Sequence, residues 1–589
     1  MLSLRWFARP RSFRITILVC IVLAATAYYV FLADALALDF GGFYARTATS
    51  ATTEYLALRG PRADHWLRRV VGAFFDRIDH DIRPYWALNA TELATRASSW
   101  PHRVRVRNGV ATMEGDVAGK VPWLELWTKL VRPAAKWLPD LDMPINYMDE
   151  SRLLVPFDEV TRLVAAADRS RRLAPVDAVR STYHWPVLDD QNADAPPQPY
   201  MPDWAKSQLW EIARMGCPPD SPARNVSAIT DFSAPPVFPE NWRPSYAQDG
   251  YVKNMTAAAD PCLQPHLRGL HGSFIEPISM STSRELIPLF GGSKLPMNNE
   301  ILIPAAMYLS TNSLYSGGWT HGPPWRSKRD GLIWRGMASG GRNRPETWPH
   351  FQRHRLVAML NGTTVAAAEK QEQEQEQGRE QASQEAGPAA TTTTKPASPF
   401  LLAPLSLYDF PRRRAQALGA WLGRFADAGF TVLKCLGAAS EETDVDCPYV
   451  APYYRAVPHL SMRKQYAYKF TPDVDGNSYS GRFRGLLFST SLPIKATIYA
   501  EWHDDRLAPW LHYAPMDNTF QDLYGVLDYF TRDSKGDAAA RLLAETGKRW
   551  AETVLRREDM LLYTWRALLE FARVCDEDRE VLGFVEDLL

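Results

Sequence analysis

The stretch DVDGNSYSGRFRGLLFSTSLPIK, Asp473 to Lys495, decides how this chain is read. Two acids and a run of Gly, Ser and Asn precede two arginines and an apolar tail. Ser478 and Ser480 are N-cap types, and GRFRGLLF can start a helix. Gly476 and Gly481 allow a tight turn and a close approach of backbone to ligand. A helix N-terminus attracts an anion, and an arginine on the first turn adds a bidentate charged donor. Arg482 and Arg484 are two residues apart and do not share a helix face, so at most one meets the same phosphate. A Gly-rich turn, a short helix and a buried strand is how α/β folds build nucleotide sites at strand ends. The competing reading is a β-turn feeding a helix whose arginines are solvated.

The same stretch begins like a calcium loop, but that pattern wants Gly at its sixth position and Glu at its twelfth. Those positions hold Ser478 and Arg484. A lone D-x-D is a weak metal motif, and Asp444-Val445-Asp446 matches it equally well. Two arginines close to Asp473 would repel a cation. No metal site is expected here.

Outward from this stretch, strand-like and helix-like runs alternate. DGLIWRG and GFTVLKCLG read as strands, RRAQALGAWLGRF as a helix, LPIKATIY as a strand and DLYGVLDYFT as a helix. Such alternation points to parallel α/β layers. Leu543, Trp550, Val554, Leu561, Trp565 and Leu568 form one apolar helix face, expected to pack on the core. Residues 366–399 are low in complexity and read as a disordered surface insertion.

At 589 residues the chain is long enough for two core domains plus extras. Lys+Arg and Asp+Glu are both 67, which gives no reason to expect a nucleic-acid partner. Ile15 to Ala33 carries no charge and is long enough to cross a bilayer. Arg5, Arg9, Arg11 and Arg14 precede it and Asp34 and Asp39 follow. The expectation is a single-pass type II signal-anchor with a short cytosolic tail, residues 34–100 as a stem, and the remainder lumenal in the ER or Golgi. A cleaved signal peptide ending near Ala35-Leu36-Ala37 is the alternative. Sequons at Asn89, Asn225, Asn254 and Asn361 fit lumenal exposure. An oxidising lumen permits disulfides, with Cys217–Cys262 and Cys435–Cys447 the expected pairs and Cys575 left free.

The opening stretch continues KATIYAEWHDDRLAPWLHYAPMDNTFQDLYGVLDYF. Its order of Lys-Phe, Asp-Gly, Ser, Arg-Phe, Leu-Leu, Ser, Glu-Trp and Leu-x-Pro-Trp-x-His-Tyr-x-Pro resembles the capsule-associated (CAP-type) glycosyltransferases, family 90. That family includes fungal xylosyltransferases and animal protein O-glucosyltransferases. GLIWRGMASGGRNRPETWPHFQRHRL and LPDLDMPINYMDESRLLVP resemble two further family blocks, so the likeness covers much of residues 138–530.

The resemblance implies a GT-B fold, two Rossmann-like domains facing a cleft. Residues 101–325 would form the acceptor and base domain, and 326–589 the donor domain. It also implies inversion, a single displacement in which one carboxylate takes the acceptor hydroxyl's proton. The leaving diphosphate would be stabilised by arginines and backbone, with no obligatory metal or other cofactor.

Carried over onto this sequence, Asp149 matches the family's base, with Asp142 the nearby competitor and a loop cap the bland alternative. Arg482 and Ser480 match the diphosphate-contacting segment, and Arg335 and Gly336 match the Trp-Arg-Gly turn. Met337 stands where relatives often have Ser. Arg353 is favoured over Arg342, Arg344 and Arg355 as the second diphosphate contact. Asp475 would shape the turn or touch donor hydroxyls. Glu501 would meet ribose hydroxyls or cap a helix, and His512 and Tyr513 would pack. The implied partners are a UDP-sugar, with xylose favoured over glucose, a glycan acceptor and the membrane. A protein O-glucosyltransferase-like enzyme and a non-catalytic lumenal glycan-binding protein are the alternatives.

Overall fold

The strand RVRVR shows how the first half is built. Alternation sends Val104 and Val106 into the core and leaves Arg103, Arg105 and Arg107 on the other face. In the computed structural model this is β1, Arg103–Arg107, preceded by α1 (Asp76–Ile82) and α2 (Ala90–Ser99). The described residues are 73–582 without 116–121, 173, 181–182, 187–208, 240–242, 279–282, 385–399, 401, 403–404, 406–407, 434, 436–446, 448–449 and 451–453. The expected membrane span at 15–33 and the pair Asp444 and Asp446 lie outside them. Among the described residues no helix is long and apolar enough to cross a membrane.

An Asn108-Gly109 turn, both residues at positive φ, leads from β1 into β2 (Val110–Glu114). After α3 (Pro122–Val131), β3 (Leu141–Pro144) pairs with the other edge of β1, giving an antiparallel sheet in the order β2-β1-β3. Then come α4 (Phe157–Ser170) and two short parallel strands, β4 (Phe290–Gly291) and β5 (Ile301–Leu302), with Ile145 bridging Phe290. Leu153 and Ser283 make a further parallel bridge in this half. Residues 74–99 are not the separate stem expected of them. Ile78, Ile82, Leu93 and Ala94 are buried in the same core as Val104 and Leu141.

The second half is the α/β layer that the alternation predicted. Here β6 (Arg329–Met337), β7 (Ala426–Val432), β8 (Tyr468–Val474), β9 (Leu492–Ala496) and β10 (Ala514–Pro515) form one parallel sheet in the order β10-β9-β8-β6-β7. β9 is buried at all five positions, as expected for a strand covered on both faces. The helices are α5 (Gln352–Leu360), α6 (Gly362–Gln384), α7 (Leu418–Phe425), α8 (Phe483–Phe488), α9 (Leu523–Thr531), α10 (Ser534–Val554) and α11 (Arg557–Val574). Trp334, Phe430, Phe470, Ile494 and Leu527 centre this second core.

Two expectations change. α6 runs through residues 366–384, the first part of the segment read as disordered. Glu, Gln and Ala favour helix, and the run is anchored. The buried Glu369 carboxylate accepts the Leu418 and Gly419 N–H groups at the start of α7, and Glu372 pairs with Arg413. α11, counted with the second domain, instead packs Met560, Tyr563, Leu568 and Phe571 into the first core.

The described residues divide into two units. One, Phe74–Leu173 with Tyr183–Glu580, holds all the elements above. The other includes Ala174–Thr182 and Val581–Leu589, where Arg180 bridges Leu582. Cys217 is joined to Cys262 and Cys435 to Cys447, while Cys575 is a buried free thiol.

Candidate active site

The site grows from the ends of β6 and β8. Gly336 has no side chain where a Cβ would lie 2.7 Å from the Trp334 indole, so that ring can fold back over the strand end. Two guanidinium groups approach it. Arg353, from α5, sits 5.8 Å from the ring centroid, and Arg482, just before α8, sits 5.3 Å away. Arg353 donates to the carbonyl of Asp475 (2.9 Å), the carbonyl of Met337 (3.1 Å) and the Ser339 hydroxyl (2.6 Å). Arg482 donates through Nη1 to the Arg335 carbonyl at 2.8 Å. Its Nη2 is buried without a hydrogen-bond partner. Asp473, 3.6 Å from Arg482, is shared with Lys495 at 3.5 Å.

Burial pushes Arg353 down to about 10, and the neighbouring Arg482 charge pushes the same way. Burial also lowers Arg482. At about 10, Arg353 remains a cation at neutral pH. Two buried like charges beside one ring are costly, and Asp473 and Asp475 offset part of that cost.

The turn Asp475-Gly476-Asn477 ties the cradle to a carboxylate on the first half. Asn477 donates through Nδ2 to Asp149 at 3.0 Å, and its Oδ1 accepts the N–H groups of Gly340 (3.0 Å) and Gly341 (3.2 Å). Gly340 and Gly341 have φ of 116° and 125°, which only glycine adopts freely. Tyr315 senses the whole arrangement. Burial raises its phenol, and then come the charges of Arg353, Asp149 and Arg482, so all three act on one side chain. Asp149 itself is exposed. It shares a small depression of about 30 Å³ with Trp123, Trp127, Tyr147 and Tyr479. The adjacent Glu150 is buried, accepts the Ile278 N–H at 2.9 Å, and is raised to about 7 by burial and then by Asp149.

The other expected residues divide clearly. Asp142 is not part of the site. It is fully buried in β3 and accepts from Ser98 (2.6 Å), Arg105 (2.9 Å) and Arg107 (2.7 Å). Burial alone would raise its carboxyl, but Ser98, Arg105 and Arg107 together hold it below the usual range. The Arg335 guanidinium turns away to Asp427, leaving only its carbonyl in the cluster, because alternation along β6 puts Trp334 and Arg335 on opposite faces. Ser480 does not cap α8. The N-cap position is Arg482, and the Ser480 hydroxyl donates to Asp473 instead.

The Asp475 carboxylate points inward, accepting the Ile498 N–H at 2.8 Å and lying 3.4 Å from His271, while its carbonyl meets Arg353. Glu501 is buried away from the arginines' ring, taking the Tyr308 hydroxyl proton donor and lying 3.4 Å from His503 and 3.6 Å from Lys495. Arg344 pairs with Glu276, Arg342 donates to the Ile278 carbonyl, and Arg355 donates to the carbonyls of Leu270, Asn518 and Thr519. Arg484 faces the Leu555 carbonyl at 2.7 Å. His512 stacks on Trp550, and Tyr513 packs edge-on against Phe483. Among the described residues no three His, Cys, Asp or Glu gather as metal ligands.

Sequence reasoning passed over Asn477, Ser339, Trp334 and Tyr315 as site residues. Asn477 stood in the quoted stretch, but nothing in its spacing showed that it reaches across to Asp149. Tyr315 lies in a loop with no motif at all.

Buried cations at the ends of parallel strands, a Gly-Gly loop and an exposed carboxylate linked to that loop through Asn477 make up the candidate site. Residues 429–581 match the family model described as Glycosyl transferase family 90. Protein O-glucosyltransferase 2 of Danio rerio is 28% identical over 123 residues, 21% of this chain and 24% of that protein. O-glucosyltransferase rumi of Drosophila pseudoobscura pseudoobscura is 31% identical over 116 residues, 19% of this chain and 27% of that protein. Uncharacterized protein 035R of Invertebrate iridescent virus 3 is 29% identical over 126 residues, 20% of this chain and 11% of that protein. The matched stretch thus spans about a quarter or less of the last relative and of the zebrafish one, and 27% of the fly one. Residues 429–581 are thus similar to the family 90 glycosyltransferases.

Proposed function

We propose that this protein is an inverting glycosyltransferase of GT-B type that moves a sugar, xylose by preference, from a UDP-sugar to a glycan acceptor in the lumen of the ER or Golgi. The observation that carries this reading is Asn477, which links Asp149 to the loop beside the two arginines. Asp149 is exposed and so open to an acceptor. In the reaction its carboxylate takes the proton of an acceptor hydroxyl as that oxygen bonds to the anomeric carbon. The bond from that carbon to the diphosphate breaks, and UDP leaves with its new charge facing Arg353 and Arg482. Preorganised cations act most strongly where charge develops in a site that excludes water. Ser339 and the Met337 and Asp475 carbonyls hold Arg353 in place, which avoids reorganisation during the reaction.

The relatives named O-glucosyltransferase favour a second reading, with glucose as the sugar and a protein as the acceptor. Incubating the purified chain with UDP-xylose and UDP-glucose, with and without chelator, separates them. Faster consumption of UDP-xylose, retained in chelator, is the expected result. Preference for UDP-glucose would move the assignment to the second reading. Turnover of neither donor, with glycans still bound, would leave a glycan-binding protein.

A further inference from the structure

A cavity of about 410 Å³ lies outside the cluster around Arg482 and Asp149, and none of its lining residues belongs to that cluster. One wall is the tip of a two-residue hairpin between Ala247–Gln248 and Tyr251–Val252. Its turn residues Asp249 and Gly250 have φ of 52° and 87°, the backbone of a tight primed turn. The Tyr408 hydroxyl donates to the Gly250 carbonyl and fixes that tip. The opposite wall is the loop after β10, with Asp517, Thr519 and Gln521.

The wall carries a specific chemical signature. Gln521 is 3% exposed, and its Nε2 is buried with no hydrogen-bond partner, so it is a donor held ready at the cavity. Asp517 is locked by the Tyr246 hydroxyl at 2.7 Å and by Thr519 N–H at 2.8 Å, so its carboxylate cannot swing away. Asp249 is exposed at the hairpin tip, with Arg243 as the lining cation. Two carboxylates against one cation disfavour a phosphate. Carboxylate acceptors with an amide donor suit a neutral ligand rich in hydroxyls, which both donates and accepts. Trp510, outside the cavity lining, is tied to one wall. The Trp510 indole N–H donates to the carbonyl of Val252, a lining residue, and the ring is held at a backbone φ of 61° that is rare for a non-glycine residue. Trp510 remains 36% exposed. An exposed indole tied to the wall through Val252 is suited to the C–H face of a pyranose ring that extends past the cavity.

We propose that this cavity is a saccharide-binding subsite, separate from the donor centre, which holds a neutral sugar unit of the glycan. The choice of a glycan as occupant rests on the proposed function; the site's polarity and shape do not. Saturation-transfer NMR on the full chain, with excess UDP filling the donor centre, tests it with methyl β-D-xylopyranoside, methyl β-D-glucopyranoside and methyl α-D-mannopyranoside. Ring protons of at least one glycoside should receive saturation. Gln521→Leu and Trp510→Ala should each weaken that binding about tenfold, the first through a lost donor and the second through a lost stacking face. Asp249→Asn, which keeps a residue type suited to the positive φ of the turn, should weaken it without lowering the melting temperature, which separates binding from folding. Arg482→Ala should leave the signal unchanged. No saturation with any of the three glycosides, or wild-type signal in all three cavity variants, would overturn the subsite. Donor turnover is measured separately: turnover without glycoside binding removes the subsite alone, and glycoside binding without turnover removes glycosyl transfer alone.

Discussion

Two buried charge clusters lie side by side at the ends of the parallel strands, and they are built on opposite principles. In one, Asp473, Lys495, Glu501, His503 and Asp504 alternate in sign at separations of 3.3–3.6 Å. His503 is pushed up to about 9: burial works against this, and Glu501 and Asp504 outweigh it. In the other, Arg353 and Arg482 lie beside the same indole, and the Arg482 charge adds to burial in lowering Arg353. A balanced cluster is self-sufficient and holds a fold together. A cluster whose cations outnumber their close acids leaves room for an anion, and the proposed function gives that place to a diphosphate. Asp142 and Asp149 repeat the contrast seven residues apart. The first is enclosed by arginines, while the second has an amide partner and faces solvent.

The largest effect should separate those two carboxylates. Asp149→Asn should cost about 10³-fold or more in transfer, the scale of losing a general base, with UDP affinity within about twofold. Wild-type turnover, measured by UDP release, would move the base elsewhere. Next, Lys495→Met should act on folding rather than on donor binding. It leaves Asp473 and Glu501 buried without their shared cation, which costs about 3–5 kcal/mol, read as a lowered urea midpoint. Unchanged stability would show that the balanced cluster does not hold the fold.

A smaller effect concerns Glu150. Its folded-state carboxyl is raised from 4.5 to about 7. The unfolded chain therefore ionises this group from about pH 4.5 while the folded chain keeps its proton to about pH 7. Stability should fall through that window, by about 3 kcal/mol in all, and stay lowered above it. Glu150→Gln should match the wild type at pH 4 and exceed it at pH 8 in urea denaturation. Equal pH profiles would remove this group from the balance.

The sheet was legible because its strands are long apolar runs with helices between them, as in DGLIWRG and LPIKATIY. The first half was less so. β4 and β5 are two residues each, and β4 is also bridged by Ile145, far off in sequence, which no local period records. α6 was missed because polarity dominated the reading of 366–384, while Glu369 and Glu372 had unseen partners at 418–419 and 413. At the site, Arg482 and Arg353 were readable from motif and residue type. Which atoms of Arg335 and Asp475 take part was not, because strand alternation turned the Arg335 guanidinium to Asp427 and a backbone donor claimed the Asp475 carboxylate.

The central claim is that the surplus charge of Arg353 and Arg482 exists for a diphosphate. Calorimetric titration of UDP into the wild type, Arg482→Ala and Lys495→Met tests it most directly. Loss of a charged hydrogen-bond donor costs about 1.5–3 kcal/mol, so Arg482→Ala should weaken UDP about tenfold to a hundredfold. Folded Lys495→Met should bind within about threefold of the wild type, an effect below that of a lost direct contact. Unchanged affinity in Arg482→Ala, or a larger loss in Lys495→Met, would contradict the account.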